Sequence, residues 1–292
     1  MKILNLDNWC GEAEEIIKPY LFTEGDPTWC EGVITDLKPF NPKGWDNLKF
    51  VASCTTGLDH IDLDYCKAKG IKIISLQGET DFLQDVYATA EHTFALILSL
   101  IRKVPFCHNE IINLSTWQRE NWRGTELHDK TMGIVGCGRV GRQVAKIAES
   151  FGMCLLTRDI KPSTNQVPDL KYLLKSSDII TAHVSLDKST QCMFGIKEFQ
   201  QMKPTSCFIN TSRGAVVDED ALLWSLTNKK IAGAALDVAC NEPNINHNLI
   251  EYAKANCNLI LTCHIGGNTH ESRKKTQLHI AFKIKEFIES HC

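Results

Sequence analysis

The sequence predicts an α/β protein with two doubly wound, parallel-sheet lobes. Short apolar runs of β character alternate with helical runs almost from end to end, which is the pattern of parallel strands joined by crossover helices. The alternation is interrupted once, by a long apolar helix and an irregular stretch, and then resumes. At the start of the second series a glycine-rich turn joins a strand to a helix. The length of 292 residues suits two lobes of about 100–200 residues each, and 43% hydrophobic and 23% charged residues with 18 Gly and 9 Pro are an ordinary globular composition.

In the first series, strands are expected over 3–6, 32–37, 48–53 and 71–76, with helical patterning over 12–20 and 61–69. A long apolar helix follows over 86–104. Glu91, His92 and Ser99 interrupt it too often for a membrane span, and it suits packing between lobes. The stretch 106–125 lacks a regular period, holds Trp117 and Trp122, and marks a boundary. The second series has strands over 131–135, 154–157, 178–183, 207–210, 231–238 and 259–262, with helices over 140–150, 169–175 and 219–227. The last helix, 269–290, sets Ile280, Ile284, Phe287 and Ile288 on one stripe at i, i+4, i+7 and i+8. That stripe fits either lobe, and the helix is grouped with the first. The expected division is therefore 1–104 plus 269–292 for one lobe and 105–268 for the other, the second inserted into the first.

Charge and composition exclude several classes. A net charge of −3 leaves no basic footprint for nucleic acid. Nothing approaches the roughly 18 consecutive apolar residues of a membrane span. The opening Met1-Lys2-Ile3-Leu4-Asn5-Leu6-Asp7 breaks too early for a signal peptide, so a cytoplasmic location is expected. Thirteen cysteines are scattered without a C-x-x-C pair or zinc spacing, which predicts reduced thiols and no metal.

The glycine turn is Gly136-Cys137-Gly138-Arg139-Val140-Gly141, between the apolar run ending at Val135 and an amphipathic helix. Gly136 suits the tight turn, Gly138 a close approach of backbone to a pyrophosphate, and Gly141 the packing of helix on strand. The helix N-terminus offers N–H groups and partial positive charge to phosphates, so the second lobe is expected to be Rossmann-like and to bind a dinucleotide. Asp159, 18 residues beyond Gly141 at the end of the next strand, can accept both ribose hydroxyls and would repel a 2′-phosphate, which favours NAD over NADP. Arg158 and Lys161 beside it temper that preference, and a solvated β–α loop residue is the alternative for Asp159.

Ligands of such sheets bind beyond the carboxyl ends of the strands. There the second series delivers Arg213 in Thr211-Ser212-Arg213-Gly214, Glu242 before Pro243, and His264 before Ile265-Gly266-Gly267. Reduction of a 2-oxo acid needs a proton for the developing alkoxide and a cation for the carboxylate and carbonyl oxygen. His264 suits the acid/base, Glu242 would stabilise its imidazolium, and Arg213 offers a bidentate fork. Taken singly, each also suits a structural role: a surface ion pair for Arg213, a turn cap for Glu242, a satisfied loop residue for His264.

Together these blocks resemble the D-isomer-specific 2-hydroxyacid dehydrogenase family, over nearly the whole chain. The resemblance includes Thr89-Ala90-Glu91-His92-Thr93, His183-Val184-Ser185-Leu186 with Thr190, Ile209-Asn210 through Gly214, Ala234-Ala235-Leu236-Asp237-Val238 and Glu242-Pro243. It implies NAD as cofactor, a small 2-hydroxy or 2-oxo acid as substrate, and Arg213, Glu242 and His264 as the catalytic set. It implies cofactor contacts at Gly136, Gly138, Gly141, Asp159, His183, Val184, Thr190, Ser212, Arg213, His264, Gly266 and Gly267, with Arg139 and Val140 at the pyrophosphate and Thr211 and Asp237 near the nicotinamide. In the first lobe Ser53, Thr55, Thr56 and Gly57 resemble the loop whose backbone N–H groups clamp the substrate carboxylate. The nearest subclass is a phosphoglycerate dehydrogenase, with glyoxylate/hydroxypyruvate reductase as the alternative and a non-catalytic NAD-sensing co-regulator as the rival of another class. Ser185, Cys54 and Thr55 depart from common family choices. A homodimer is expected. Cys54, Cys137, Cys240 and Cys263 fall within motifs, so thiol oxidants are expected to inactivate the protein and bound NADH to protect it.

Overall fold

Ten strands among residues 1–291, the residues this computed structural model describes, form two sheets in which every pairing is parallel. The first has the order β1 (Ile3–Asn5), β2 (Gly32–Ile34), β3 (Phe50–Ala52), β4 (Lys72–Ile74). The second is built from β5 (Thr131–Val135), β6 (Cys154–Arg158), β7 (Ile179–Ala182), β8 (Cys207–Asn210), β9 (Gly233–Leu236) and β10 (Leu259–Leu261), in the order β10-β9-β8-β7-β5-β6. The chain leaves β5 for β6 on one side and then crosses to β7 on the other. That reversal is the switch point at which doubly wound sheets bind ligands.

The chain divides into two units, Met1–Val86 with the segment from Asn268 onward, and Tyr87–Gly267. The break falls at Val86, not at residue 104 as the sequence suggested. The cause is the helix Ala88–Ile101, whose Ala90, Phe94, Ile97 and Leu100 are buried with Met132, Ile134, Val144 and Ile209 in the core of the second unit. What patterned as one helix over 86–104 is two, because Lys103 turns left-handed at φ 56° and a second helix, Val104–Leu114, begins with Pro in its first turn. The 106–125 stretch therefore starts helical, and none of that second helix's residues is buried.

In the first unit, Ile280, Ala281, Ile284 and Ile288 of the closing helix His270–Ser290 are buried against Ile3, Ile17, Ile34 and Phe50, with Phe287 partly buried beside them. Burial of such side chains contributes about 1.5–3 kcal/mol each. On the other face of the second sheet Phe194, Phe199 and Phe208 pack together as tilted and edge-on pairs among Leu173, Ile180 and Leu222. Asp169 and Asp218 start their helices as N-caps, accepting from the backbone N–H of Tyr172 and Ala221. No helix among the described residues is long and apolar enough to cross a membrane.

Candidate active site

One row of paired residues crosses the second sheet just before its carboxyl edge: Arg158, Val135, Ala182, Asn210, Leu236 and Leu261. The next residue on each strand is therefore Asp159, Gly136, His183, Thr211, Asp237 and Thr262. Register alone brings together five residues that the sequence nominated from separate motifs.

Gly136 turns at φ 92°, and a methyl group there would lie 2.6 Å from the His183 backbone carbon across the switch point. Only glycine fits both the turn and the approach. Gly141 backs onto the Gly136 carbonyl, while a methyl at Gly138 would meet nothing within 4 Å. Gly138 heads the helix Arg139–Ser150, whose first N–H groups stand at this edge. Asp159 leans back over the turn: one carboxylate oxygen accepts from the Cys137 N–H at 2.5 Å and the other from the Lys161 N–H at 2.8 Å. Burial pushes the Cys137 thiol up and the Arg139 guanidinium down from their ordinary values. Burial also holds His183 neutral, its pKa pushed down to about 4.

Beyond β8, the buried Asn210 folds the loop that carries Arg213. Its carboxamide oxygen accepts from the Ser212 N–H and hydroxyl at 3.0 and 2.7 Å, and its amide donates to the Arg213 carbonyl at 2.9 Å. Gly214 then packs directly on the backbone of Ala239 and Cys240, which sets the loops after β8 and β9 side by side. Glu242 is fixed by the Ala239 N–H at 2.7 Å, and its other oxygen lies 2.7 Å from His264 Nδ1. Both side chains are partly exposed. His264 has a left-handed backbone, φ 55°, which its N–H bond to the Asp237 carbonyl at 2.8 Å helps to hold.

The Asp237 carboxylate accepts from the Thr262 hydroxyl and the Ile265 and Gly266 N–H groups at 2.7, 2.9 and 2.8 Å. His92 Nε2 lies 3.1 Å from it. Burial pushes this carboxyl up, but the bonds from His92, Thr262, Ile265 and Gly266 outweigh burial and hold it below the usual carboxylate range.

Residues 94–266 match the family model described as D-isomer specific 2-hydroxyacid dehydrogenase, NAD binding domain. The chain belongs to this family. It is 39% identical over 241 residues to a glyoxylate reductase of Thermococcus litoralis, a match covering 78% of this chain and 70% of that one. It is 34% identical over 249 residues to a D-3-phosphoglycerate dehydrogenase of Synechocystis sp., covering 82% of this chain but only 43% of the relative, so the match spans less than half of that longer protein. Among solved structures, a D-lactate dehydrogenase of Aquifex aeolicus complexed with NAD and lactic acid superposes with a TM-score of 0.85 at 27% identity, covering 99% and 96% of the two chains.

Within this family member the nominated residues are distributed as follows. Arg213, Glu242 and His264 lie on neighbouring loops of the second unit, with the glycine turn and Asp159 at the same sheet edge. Thr190 is part of a local turn, its hydroxyl donating to the Ser185 carbonyl at 2.7 Å, and Val184 packs at the margin of the core. Ser212 is taken up by Asn210, and Asp237 by its four donors, so both shape loops.

In the first unit Ser53 is fully buried, its hydroxyl 2.8 Å from that of Thr55, which donates to the Gly57 carbonyl at 2.8 Å. The Cys54 N–H is occupied by Asp36, at 2.9 Å, and Asp36 is in turn paired with Arg273 at 2.6 Å. The side chains of Ser53 and Thr55 are thus engaged internally, while Thr56 is exposed.

His92, Thr93 and Asn210 carry no role in the sequence beyond their motifs. The signal for His92 and Thr93 is a polar pair inside an apolar helix.

Proposed function

We propose that this chain interconverts a D-2-hydroxy acid and its 2-oxo acid using NAD. The observation that carries the proposal is the 2.7 Å pair between His264 Nδ1 and Glu242, on the loop beside the one that bears Arg213. Because Nδ1 is directed at the carboxylate, Nε2 is the nitrogen that gives or takes the substrate hydroxyl proton. Glu242 orients the ring and stabilises its charged form, and Arg213 binds the carboxylate and carbonyl oxygen. NAD supplies or accepts the hydride at the substrate's second carbon. The glycine turn fits the pyrophosphate, since Gly138 heads the helix Arg139–Ser150 and the space around its α-carbon is open, with no protein atom beyond its chain neighbours within 4 Å of where a Cβ would stand. Arg139 and Val140 flank it, Asp159 takes the ribose, and His183, Val184, Thr190, Thr211, Ser212, Asp237, Gly266 and Gly267 shape the remaining cofactor edge. Thr55, Thr56 and Gly57 are assigned to the substrate carboxylate through backbone N–H groups; Ser53, expected to join them, has its N–H taken by the Ile74 carbonyl at 2.9 Å and shapes the loop instead.

The relatives include both phosphoglycerate dehydrogenases and glyoxylate or hydroxypyruvate reductases. Of four cations that could meet a substrate phosphate, Lys2, Lys38, Lys43 and Arg123, three lie near carboxylates, Lys38 at Asp7, Lys43 at Asp62 and Arg123 at Glu120, which supports an unphosphorylated acid. The free cysteines among the described residues support a reducing, cytoplasmic setting. The unburied helix Val104–Leu114, with Ile112 and Leu114 exposed and Trp117 86% exposed just beyond it, supports a homodimer through this face. Sedimentation should show a dimer that Ile112→Glu converts to monomer, and a wild-type monomer at micromolar concentration would remove this part.

The test of activity is NADH oxidation with glyoxylate, hydroxypyruvate and phosphohydroxypyruvate, repeated with His264→Ala. Turnover of the unphosphorylated acids that disappears in the variant is expected. Turnover that survives overturns the proton donor, and NADH binding without turnover of any acid favours the co-regulator.

A further inference from the structure

The helix Ala88–Ile101 lies on the second sheet and presents two polar side chains, His92 and Thr93, at its carboxyl edge. Thr93 is fully buried, and its hydroxyl donates to the Thr89 carbonyl at 2.8 Å. Its remaining capacity is as an acceptor, so the Thr211 hydroxyl, 3.0 Å away, donates to it. That bond pins the helix to the end of β8. Asn210 and Leu236 are paired across β8 and β9, so Thr211 and Asp237 emerge side by side. The residue adjacent to Thr93 meets the residue adjacent to Thr211: His92 Nε2 lies 3.1 Å from Asp237 Oδ1 and 3.2 Å from Thr262 Oγ1.

Proton counting fixes the direction of these bonds. The Thr262 hydroxyl has one proton and gives it to Asp237 Oδ1 at 2.7 Å. Both atoms facing His92 Nε2 are then acceptors, so Nε2 carries a hydrogen and donates. Asp237 in turn holds the backbone of the His264 loop at three consecutive residues, through its carbonyl to the His264 N–H and its carboxylate to those of Ile265 and Gly266. A non-glycine residue at φ 55° persists only when its surroundings impose it.

We infer that His92 is a positioning residue for His264: by donating to Asp237 it holds the carboxylate that locks the His264 backbone left-handed and aims Nδ1 at Glu242. The inference rests on the role proposed for His264. Loss of the donor leaves Asp237 short of one bond, relaxes the loop and weakens the His264–Glu242 pair. The Nδ1–H···Glu242 hydrogen bond should then lengthen.

The test is NMR of the histidine ring protons, reading the downfield resonance of the hydrogen-bonded His264 Nδ1–H, together with steady-state kinetics for three proteins: wild type, His92→Leu and His92→Gln. Glutamine places an amide donor near the position of Nε2. The leucine variant should move the Nδ1–H resonance upfield or broaden it away and reduce kcat about ten- to a hundredfold, whereas the glutamine variant should keep the resonance and stay within about threefold of wild-type kcat. If the leucine variant yields no folded protein, His92→Asn, whose amide is too short to reach, takes its place. A folded leucine or asparagine variant with the wild-type resonance overturns the inference. So does a glutamine variant as impaired as the leucine one, and a purely structural role would lower Tm without moving the His264 resonance. The resonance does not depend on turnover, so a protein inactive on every 2-oxo acid would refute the proposed reaction while this measurement still decides the role of His92.

Discussion

Gly214 and Ala239 approach so closely that a methyl group on Gly214 would lie 2.0 Å from the Ala239 carbonyl carbon. The obstacle is backbone, which cannot swing aside as a flexible side chain would. Through this contact the loop that ends in Arg213 is set against the loop that begins the path to Glu242. Gly214→Ala is therefore expected to lower stability by about 1–3 kcal/mol, the usual cost of overpacking, and to depress kcat/KM more than it depresses Tm. Gly138→Ala is the contrast, since its methyl meets nothing within 4 Å. It should melt like wild type yet bind NADH about tenfold more weakly, because the added group enters the space the pyrophosphate would need. Calorimetry and NADH titration of the pair distinguish steric loss of the fold from steric loss of the cofactor.

Asp159 is held at the glycine turn by the N–H groups of Cys137 and Lys161, so its carboxylate has a fixed place and not a solvated range of rotamers. A fixed negative charge there repels a 2′-phosphate. Asp159→Ser removes the charge and leaves Arg158 and Lys161 as neighbours. KM for NADH should rise about tenfold and that for NADPH should fall, which kinetics with both nucleotides will show. Unchanged discrimination would place the adenosine ribose elsewhere.

Much of this site is legible in the sequence because its parts follow strands directly. Once Val135, Ala182, Asn210, Leu236 and Leu261 are recognised as the ends of parallel strands, the residues after them must share one edge, and the motifs containing Arg213, Glu242 and His264 follow from there. Elements lacking an apolar signature were the ones missed. The helix Val104–Leu114 keeps its apolar Val104, Ile112 and Leu114 exposed, so they do not repeat as a core-facing stripe, and the helix His247–Ala255 buries only Leu249. The break at Val86 is hidden because a largely apolar helix is compatible with either unit, and packing against Val144 and Ile209 is what assigns it. The engagement of His92 with Asp237 spans 145 residues and has no local trace.

Stability should carry a histidine-specific acid limb. In the folded protein His183 stays neutral down to about pH 4, whereas an unfolded histidine takes up its proton near pH 6.5. The unfolded state therefore binds more protons between these values. The contribution is fully present above about pH 6.5 and is lost as pH falls toward 4. Between pH 7.5 and pH 5 the cost is about 2 kcal/mol, from roughly 1.4 kcal/mol per unit. Urea unfolding of wild type against His183→Asn at both pH values should show the variant's smaller loss; equal losses would mean that His183 is protonated in the fold.

The four motif cysteines are not equivalent, which narrows the expected sensitivity to thiol reagents. Burial raises Cys54 well above an ordinary thiol, pushes Cys240 up to about 12 with Glu219 beside it, and raises Cys137. The reactive species is the thiolate, so these three are poor targets. Cys263 alone of the four is exposed, between Thr262 and the proposed proton donor His264. A maleimide should inactivate the protein by alkylating Cys263, and NADH should slow the reaction. Cys263→Ser should resist inactivation even while Cys154, Cys192 and Cys257, also exposed, are fully labelled. Peptide mapping with residual activity checks this, and a Cys263→Ser variant inactivated as fast as wild type would move the sensitive thiol to another cysteine.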